Sequence, residues 1–150
     1  MRRRPFNADT ALVFLGALLL FGTTATGFQA RVTDLSALRV LDGDVPYRDF
    51  WTMYAPGSFV TLAAAFALFG RELLISNLLG VTTSAAAVAM FYRFAKGACG
   101  TIPAASIAAL VAVAFLSTSY ADGFTSYPPA LLLILMAADR VMTRCHESGA

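Results

Sequence analysis

Charge is scarce in this sequence: 13% of its 150 residues are Asp, Glu, Lys or Arg, against 58% that are hydrophobic. So few polar side chains do not cover a water-soluble globule of this length, and the chain is expected in a bilayer. A strong charge of either sign is lacking too. The formal net charge of +2, spread along the chain, gives no footing for nucleic acid. Cysteine is limited to Cys99 and Cys145, with neither CxxC nor zinc spacing, and the single histidine, His146, sits in a polar tail. All three read as structurally incidental. Internal repeats, a Gly-rich phosphate loop, GxSxG and HExxH are missing as well, which leaves soluble enzyme classes without support.

What the sequence has instead is long uncharged stretches. Those between Asp9 and Arg31, between Glu72 and Arg93, and between Lys96 and Asp122 each hold 20 residues or more. At about 1.5 Å per residue each is long enough to cross a hydrocarbon core of roughly 30 Å. A fourth, "GFTSYPPALLLILMAADRVM", contains Asp139 and Arg140 near one end, where a charge costs far less than at a helix centre and Arg can reach the headgroups.

The stretch "GSFVTLAAAFALF", residues 57–69, decides the topology. Behind Pro56 it makes a helix of only about 20 Å, too short to cross comfortably. If it crosses, five spans leave Arg2, Arg3, Arg4 and Arg71 inside and seven basic residues outside. If it lies along the outer interface, or dips in and returns, four spans place Arg2, Arg3, Arg4, Arg93, Lys96, Arg140 and Arg144 inside. The positive-inside rule selects the second arrangement. The expectation is an all-α integral membrane protein, a single membrane domain over 1–150. Its spans fall near 10–30, 73–92, 101–121 and 124–142, and an external loop over about 31–72 carries two short juxtamembrane helices. It is expected in the inner (plasma) membrane with both termini cytoplasmic. "MRRR" and the apolar run after it have the outline of a cleaved signal peptide, but the uncharged run continues through Ala30 and exceeds the usual 7–15 residues.

The external loop gathers what polarity there is. "TDLSALRVLDG" reads as a short helix, capped by Thr33 or Asp34, with Leu35, Leu38 and Leu41 recurring along it and Asp42-Gly43 ending it. "DVPYRDFWTMYAPG" follows. Its Tyr47, Phe50, Trp51 and Tyr54 suit the membrane–water interface.

A first span, an external Asp ahead of "ALRVLDG", then "PYRDF" and "APG", an apolar stretch ending "LFGREL" and a span ending "FYRFAKG" resemble the N-terminal part of the GT-C superfamily of membrane glycosyltransferases. Protein O-mannosyltransferases and aminoarabinose transferases belong to that superfamily. The resemblance covers about residues 10–140, and "PYRDF" followed by "PG" is its sharpest part. It implies a first external loop with two juxtamembrane helices, a polyprenyl-phosphate-linked sugar as donor, and an acidic residue of that loop in catalysis. Many relatives carry an adjacent Asp-Glu pair soon after the first span. Here the first acid is Asp34, which other branches match with a single Asp, so the resemblance makes Asp34 the catalytic candidate. Family members usually have ten or more spans, so the resemblance also implies that the 150-residue chain is an N-terminal piece, inactive alone.

An acid there suits the chemistry. The acceptor hydroxyl must lose its proton as it attacks the anomeric carbon, and a carboxylate can take it. The phosphate leaving group needs positive charge, for which Arg39, Arg48 and Arg71 are the candidates, since Arg offers bidentate hydrogen bonds. Asp49 is the second catalytic candidate, and Tyr47 a candidate sugar contact. Each has a plainer reading: Asp34 as a helix cap, Asp49 with Arg48 as a structural anchor, Tyr47, Trp51 and Tyr54 as interface anchors. "DGD" at 42–44 resembles a metal-binding DxD but suits a turn better, so no metal ligand set is evident and any need for a divalent cofactor stays open. The other function class is a non-catalytic multi-span membrane protein or subunit that packs on neighbouring helices through "TTSAAAVAM" and "PAASIAALVAVA".

Overall fold

Among the described residues, apolar runs interrupted by Gly and Pro fold into six helices: α1 (Ala8–Thr24), α2 (Val32–Leu41), α3 (Pro56–Phe69), α4 (Leu73–Cys99), α5 (Thr101–Ser117) and α6 (Tyr127–Ser148). The computed structural model describes residues 8–24, 32–52, 54–117, 124 and 127–148. Outside them lie "MRRR", Arg31 and the expected ends of the first and third spans, residues 25–30 and 118–121. Among the described residues there is no strand, only an isolated bridge between Pro46 and Phe50.

The breaks follow from backbone chemistry. Pro56 opens α3 in the first turn, where its missing N–H costs nothing, and Gly70 closes it with φ 104°. Gly100, at φ 85°, is the single residue between α4 and α5, and its N–H still reaches the Lys96 carbonyl at 3.3 Å. Only glycine adopts that backbone readily. The stretch expected to lie flat or dip and return is one uninterrupted helix of 14 residues.

α4 is the axis of the molecule, touched by α1, α5 and α6, while α2 packs on α3. Asp9 at the start of α1 pairs with Lys96, and Asp139 of α6 pairs with Arg93 at 2.9 Å. At the other end of α4, the Phe124 N–H approaches Ser76 Oγ at 3.5 Å, and the Phe21 and Phe115 rings, late in α1 and α5, lie 6.4 Å apart. So α1 and α5 run antiparallel to α4, and α6 runs parallel to it. The start of α1 and the late part of α6 share one end of the bundle, and the α2–α3 hairpin occupies the other.

Alanine predominates in the contacts of α1, α4 and α5, with Phe21 and Tyr92 the large side chains among them. Val81, Ala85, Val88, Tyr92 and Ala95 form the buried stripe of α4, facing Ala17 and Phe21 of α1 and Ala104, Ala108 and Ala112 of α5. Leu12, Leu19, Ile102, Leu110, Leu133 and Ile134 point outward. Of the two alanine-rich stretches, the first buries Ser84, Ala85, Ala87, Val88 and Ala89 in this chain's own bundle, whereas the second buries Ala104, Ala108 and Ala112 and leaves Ala105 and Ala109 exposed. One helix among the described residues, α4 over Leu73–Gly97, is long and apolar enough to cross a membrane by length and composition; α1, α3 and α5 are shorter apolar helices.

Candidate functional site at the hairpin end of the bundle

α2 begins at Val32, so Thr33 and Asp34 stand inside its first turn rather than ahead of it. The buried face is not the leucine stripe the spacing suggests. Thr33, Asp34, Ser36 and Ala37 are buried, while Leu35 is exposed and Leu38 and Leu41 are only partly covered against Leu62, Ala63 and Phe66 of α3. The reason is the neighbour: Asp34, 2% exposed, accepts a 2.5 Å hydrogen bond from the Ser76 hydroxyl in the first turn of α4. Ser76 in turn accepts from the Phe124 N–H, so one hydroxyl joins α2, α4 and the segment leading into α6. Thr33 Oγ1 is buried without a hydrogen-bond partner among the described residues. Ser76 and Asn77 are the polar residues that sequence reasoning missed, both buried. The available signal was two adjacent polar side chains in the first turn of an otherwise apolar span.

α2 ends as Asp42-Gly43 predicts: the Asp42 and Gly43 N–H groups bond back to Leu38 and Val40, and Gly43 takes φ 104°. The following loop is tied by arginines. Arg39 Nε donates to Asp44 at 2.8 Å, its Nη2 donates to the Asp49 carbonyl at 3.2 Å, and its guanidinium stacks 4.5 Å from the Phe50 ring. Phe50 in turn meets Phe59 of α3, with ring centroids 6.4 Å apart. Arg48 grips the Asp49 carboxylate with two bonds of 2.9 and 2.8 Å, and the Val45 N–H donates to the same carboxylate at 2.7 Å. The Arg48 hydrogen bond, then the Val45 N–H, hold the Asp49 carboxyl well below its usual range, at about 2. Arg48 is pushed upward by the same pair. Arg71, before α4, closes on Asp42 at 2.8 Å.

Tyr47 takes φ 67°, a backbone that non-glycine residues rarely adopt. It is pinned there by its N–H to the Phe50 carbonyl at 2.9 Å and its Oη to the Tyr54 carbonyl at 2.6 Å. Trp51 projects outward, 78% exposed. Arg39, Tyr47, Arg48 and Asp49 thus share one cluster, Arg71 joins it through Asp42, and Asp34 faces α4 instead. Asp42 and Asp44 of "DGD" turn toward Arg71 and Arg39, and no group of three metal-ligating side chains gathers among the described residues. Chemically, the end of the bundle offers one buried carboxylate, Asp34, and three guanidinium groups, of Arg39 in α2, Arg48 in the loop and Arg71 in the turn before α4, each paired with an acid. Comparison of the chain with protein-family models, curated proteins and solved structures finds no match.

Proposed function

We propose that this chain takes part in transfer of a sugar from a polyprenyl-phosphate donor to an acceptor at the outer face of the inner membrane. α1, α4, α5 and α6 cross the bilayer, both termini are cytoplasmic, α2 and the loop lie outside, and α3 rests in the outer interface. The observation that carries the reading is the Asp34 carboxylate, buried beside Ser76 at the hairpin end of the bundle, the end that also holds Arg39, Arg48 and Arg71, each closed on another acid. In this reading the acceptor hydroxyl gives its proton to Asp34 as its oxygen bonds to the anomeric carbon. The bond from that carbon to the phosphate oxygen breaks, and polyprenyl phosphate leaves with its charge met by arginine. Support for the membrane placement comes from the outward leucines and from charge confined to the two ends of α4, with none between Glu72 and Arg93. At 17 residues each, α1 and α5 fall at the short end of the spanning range of about 17–25.

The test is Asp34→Asn in native membranes supplied with a labelled polyprenyl-phosphate sugar. Asn keeps the size and an amide oxygen that accepts from the Ser76 hydroxyl while removing the basic charge. Transfer falls about 10²–10⁴-fold while the protein still accumulates. Normal turnover removes Asp34 from the chemistry. A second reading, a non-catalytic membrane subunit, is favoured by one observation: Asp42, Asp44 and Asp49 are each closed on an arginine, as in a strut. On that reading Asp34→Asn is silent.

A further inference from the structure

α3 and α4 are joined by a tight turn, Gly70-Arg71-Glu72, yet touch far less than α2 and α3 do. They diverge from the turn and leave a groove of about 400 Å³, within the range of small-molecule sites of about 300–1,000 Å³. Ala65 and Phe69 of α3 form one wall. The other is a single stripe of α4, Ile75, Leu78, Leu79 and Thr82, running from Glu72. Thr82 spends its hydroxyl on the Leu78 carbonyl at 2.7 Å, so the far end is apolar in effect. From Glu72 to Thr82 the stripe rises about 15 Å, half of a hydrocarbon core of roughly 30 Å. That is the depth of one leaflet, which fits an acyl chain entering from the outer headgroup layer.

The mouth chooses the headgroup. Arg71 is neutralised by Asp42, but Glu72 neither caps α4 with its side chain nor has an ion pair among the described residues. The three charges sum to one negative. A polyprenyl phosphate would bring a second negative charge to that carboxylate, whereas a primary ammonium would neutralise it and donate hydrogen bonds to it. We propose that the α3–α4 groove is a binding site for one acyl chain of an amine-headed phospholipid, its ammonium on Glu72. The site depends on the membrane placement of α4 proposed above and not on sugar transfer.

The test uses the full chain in lipid nanodiscs carrying diazirine-labelled phosphatidylethanolamine, phosphatidylcholine or polyprenyl phosphate, with adducts mapped by mass spectrometry. Phosphatidylethanolamine labels Ile75, Leu78 and Leu79 about fivefold more than phosphatidylcholine, the upper end for an exposed charge pair. Glu72→Gln brings the ratio to about one, and Ala65→Trp, which fills the groove, removes the adducts from α4 with both lipids. Equal labelling by the two lipids overturns the proposal, as does preference for polyprenyl phosphate. Adducts confined to the outer faces of α1 and α5 overturn the site and leave the membrane reading standing. No adducts anywhere overturn both.

Discussion

Asp49 shows how one carboxylate can organise a loop without being buried. Two Arg48 nitrogens and the Val45 N–H converge on it, and its carboxyl is lowered to about 2 from an ordinary value near 3.9. A group depressed in the folded state contributes stability that is complete above its unfolded pKa. That stability is lost as pH falls from about 4 through 2. Carboxyl-carbon NMR should therefore give Asp49 a midpoint of about 2, and the fluorescence of Trp51, the only tryptophan, should hold steady from neutral pH to about 4 and shift below it. A midpoint near 3.9 would show that the fork to Arg48 is not formed in solution. The pair itself was legible, since Arg48 and Asp49 are adjacent and opposite in charge. The positive φ of Tyr47 was not: tyrosine has no turn preference, and its backbone is held by a contact seven residues away, to the Tyr54 carbonyl.

At the scale of helices, the start of α3 at Pro56 and the end of α2 at Asp42-Gly43 were legible, because these residues act on the local backbone and need no tertiary partner, whereas α4, expected over 73–92, runs on to Cys99. The facing of α2 was misleading. Leucine spacing pointed to one side, yet the helix turns Asp34 and Ser36 inward and Leu35 outward, a choice made by Ser76 forty-two residues away. α6 is the complementary case: its charges looked like a flaw near the end of a span, and Asp139 proves to be the partner of Arg93, with side chains 24% and 25% exposed. A pair that shielded lies between surface bridges and buried ones, so Asp139→Asn should cost about 1–3 kcal/mol in detergent unfolding. Replacing both residues, Arg93→Met with Asp139→Leu, should recover most of the loss, because no charge is then left alone. A double-mutant coupling near zero would mean that the bridge does not hold α6 against α4.

For the molecule as a whole, the informative feature is that alanine rather than leucine fills most of the contacts between α1, α4 and α5. In water a helix bundle gains most by burying leucine, whereas in lipid the outside is as apolar as leucine and close contact between axes decides association. Six of the ten residues of the α1–α4–α5 cluster are alanine, so the axes approach closely while leucines face out, the pattern expected of lipid-facing helices. Together with the helix directions, this predicts where two natural cysteines lie. Cys99 ends α4, and Cys145 falls in the last turn and a half of α6; a parallel α4 and α6 bring both to the bundle end that carries Asp9, Lys96 and Arg93. Ala55, exposed just ahead of α3, marks the opposite end. In intact cells an impermeant maleimide should label an Ala55→Cys variant and leave Cys99 and Cys145 unmodified, and Cys99, which is exposed, should react once the cells are permeabilised. External labelling of both natural cysteines would mean that α3 also crosses and that there are five spans. Labelling of Cys145 alone would mean that only one of α5 and α6 crosses, because the number of crossings between Cys99 and Cys145 must then be odd.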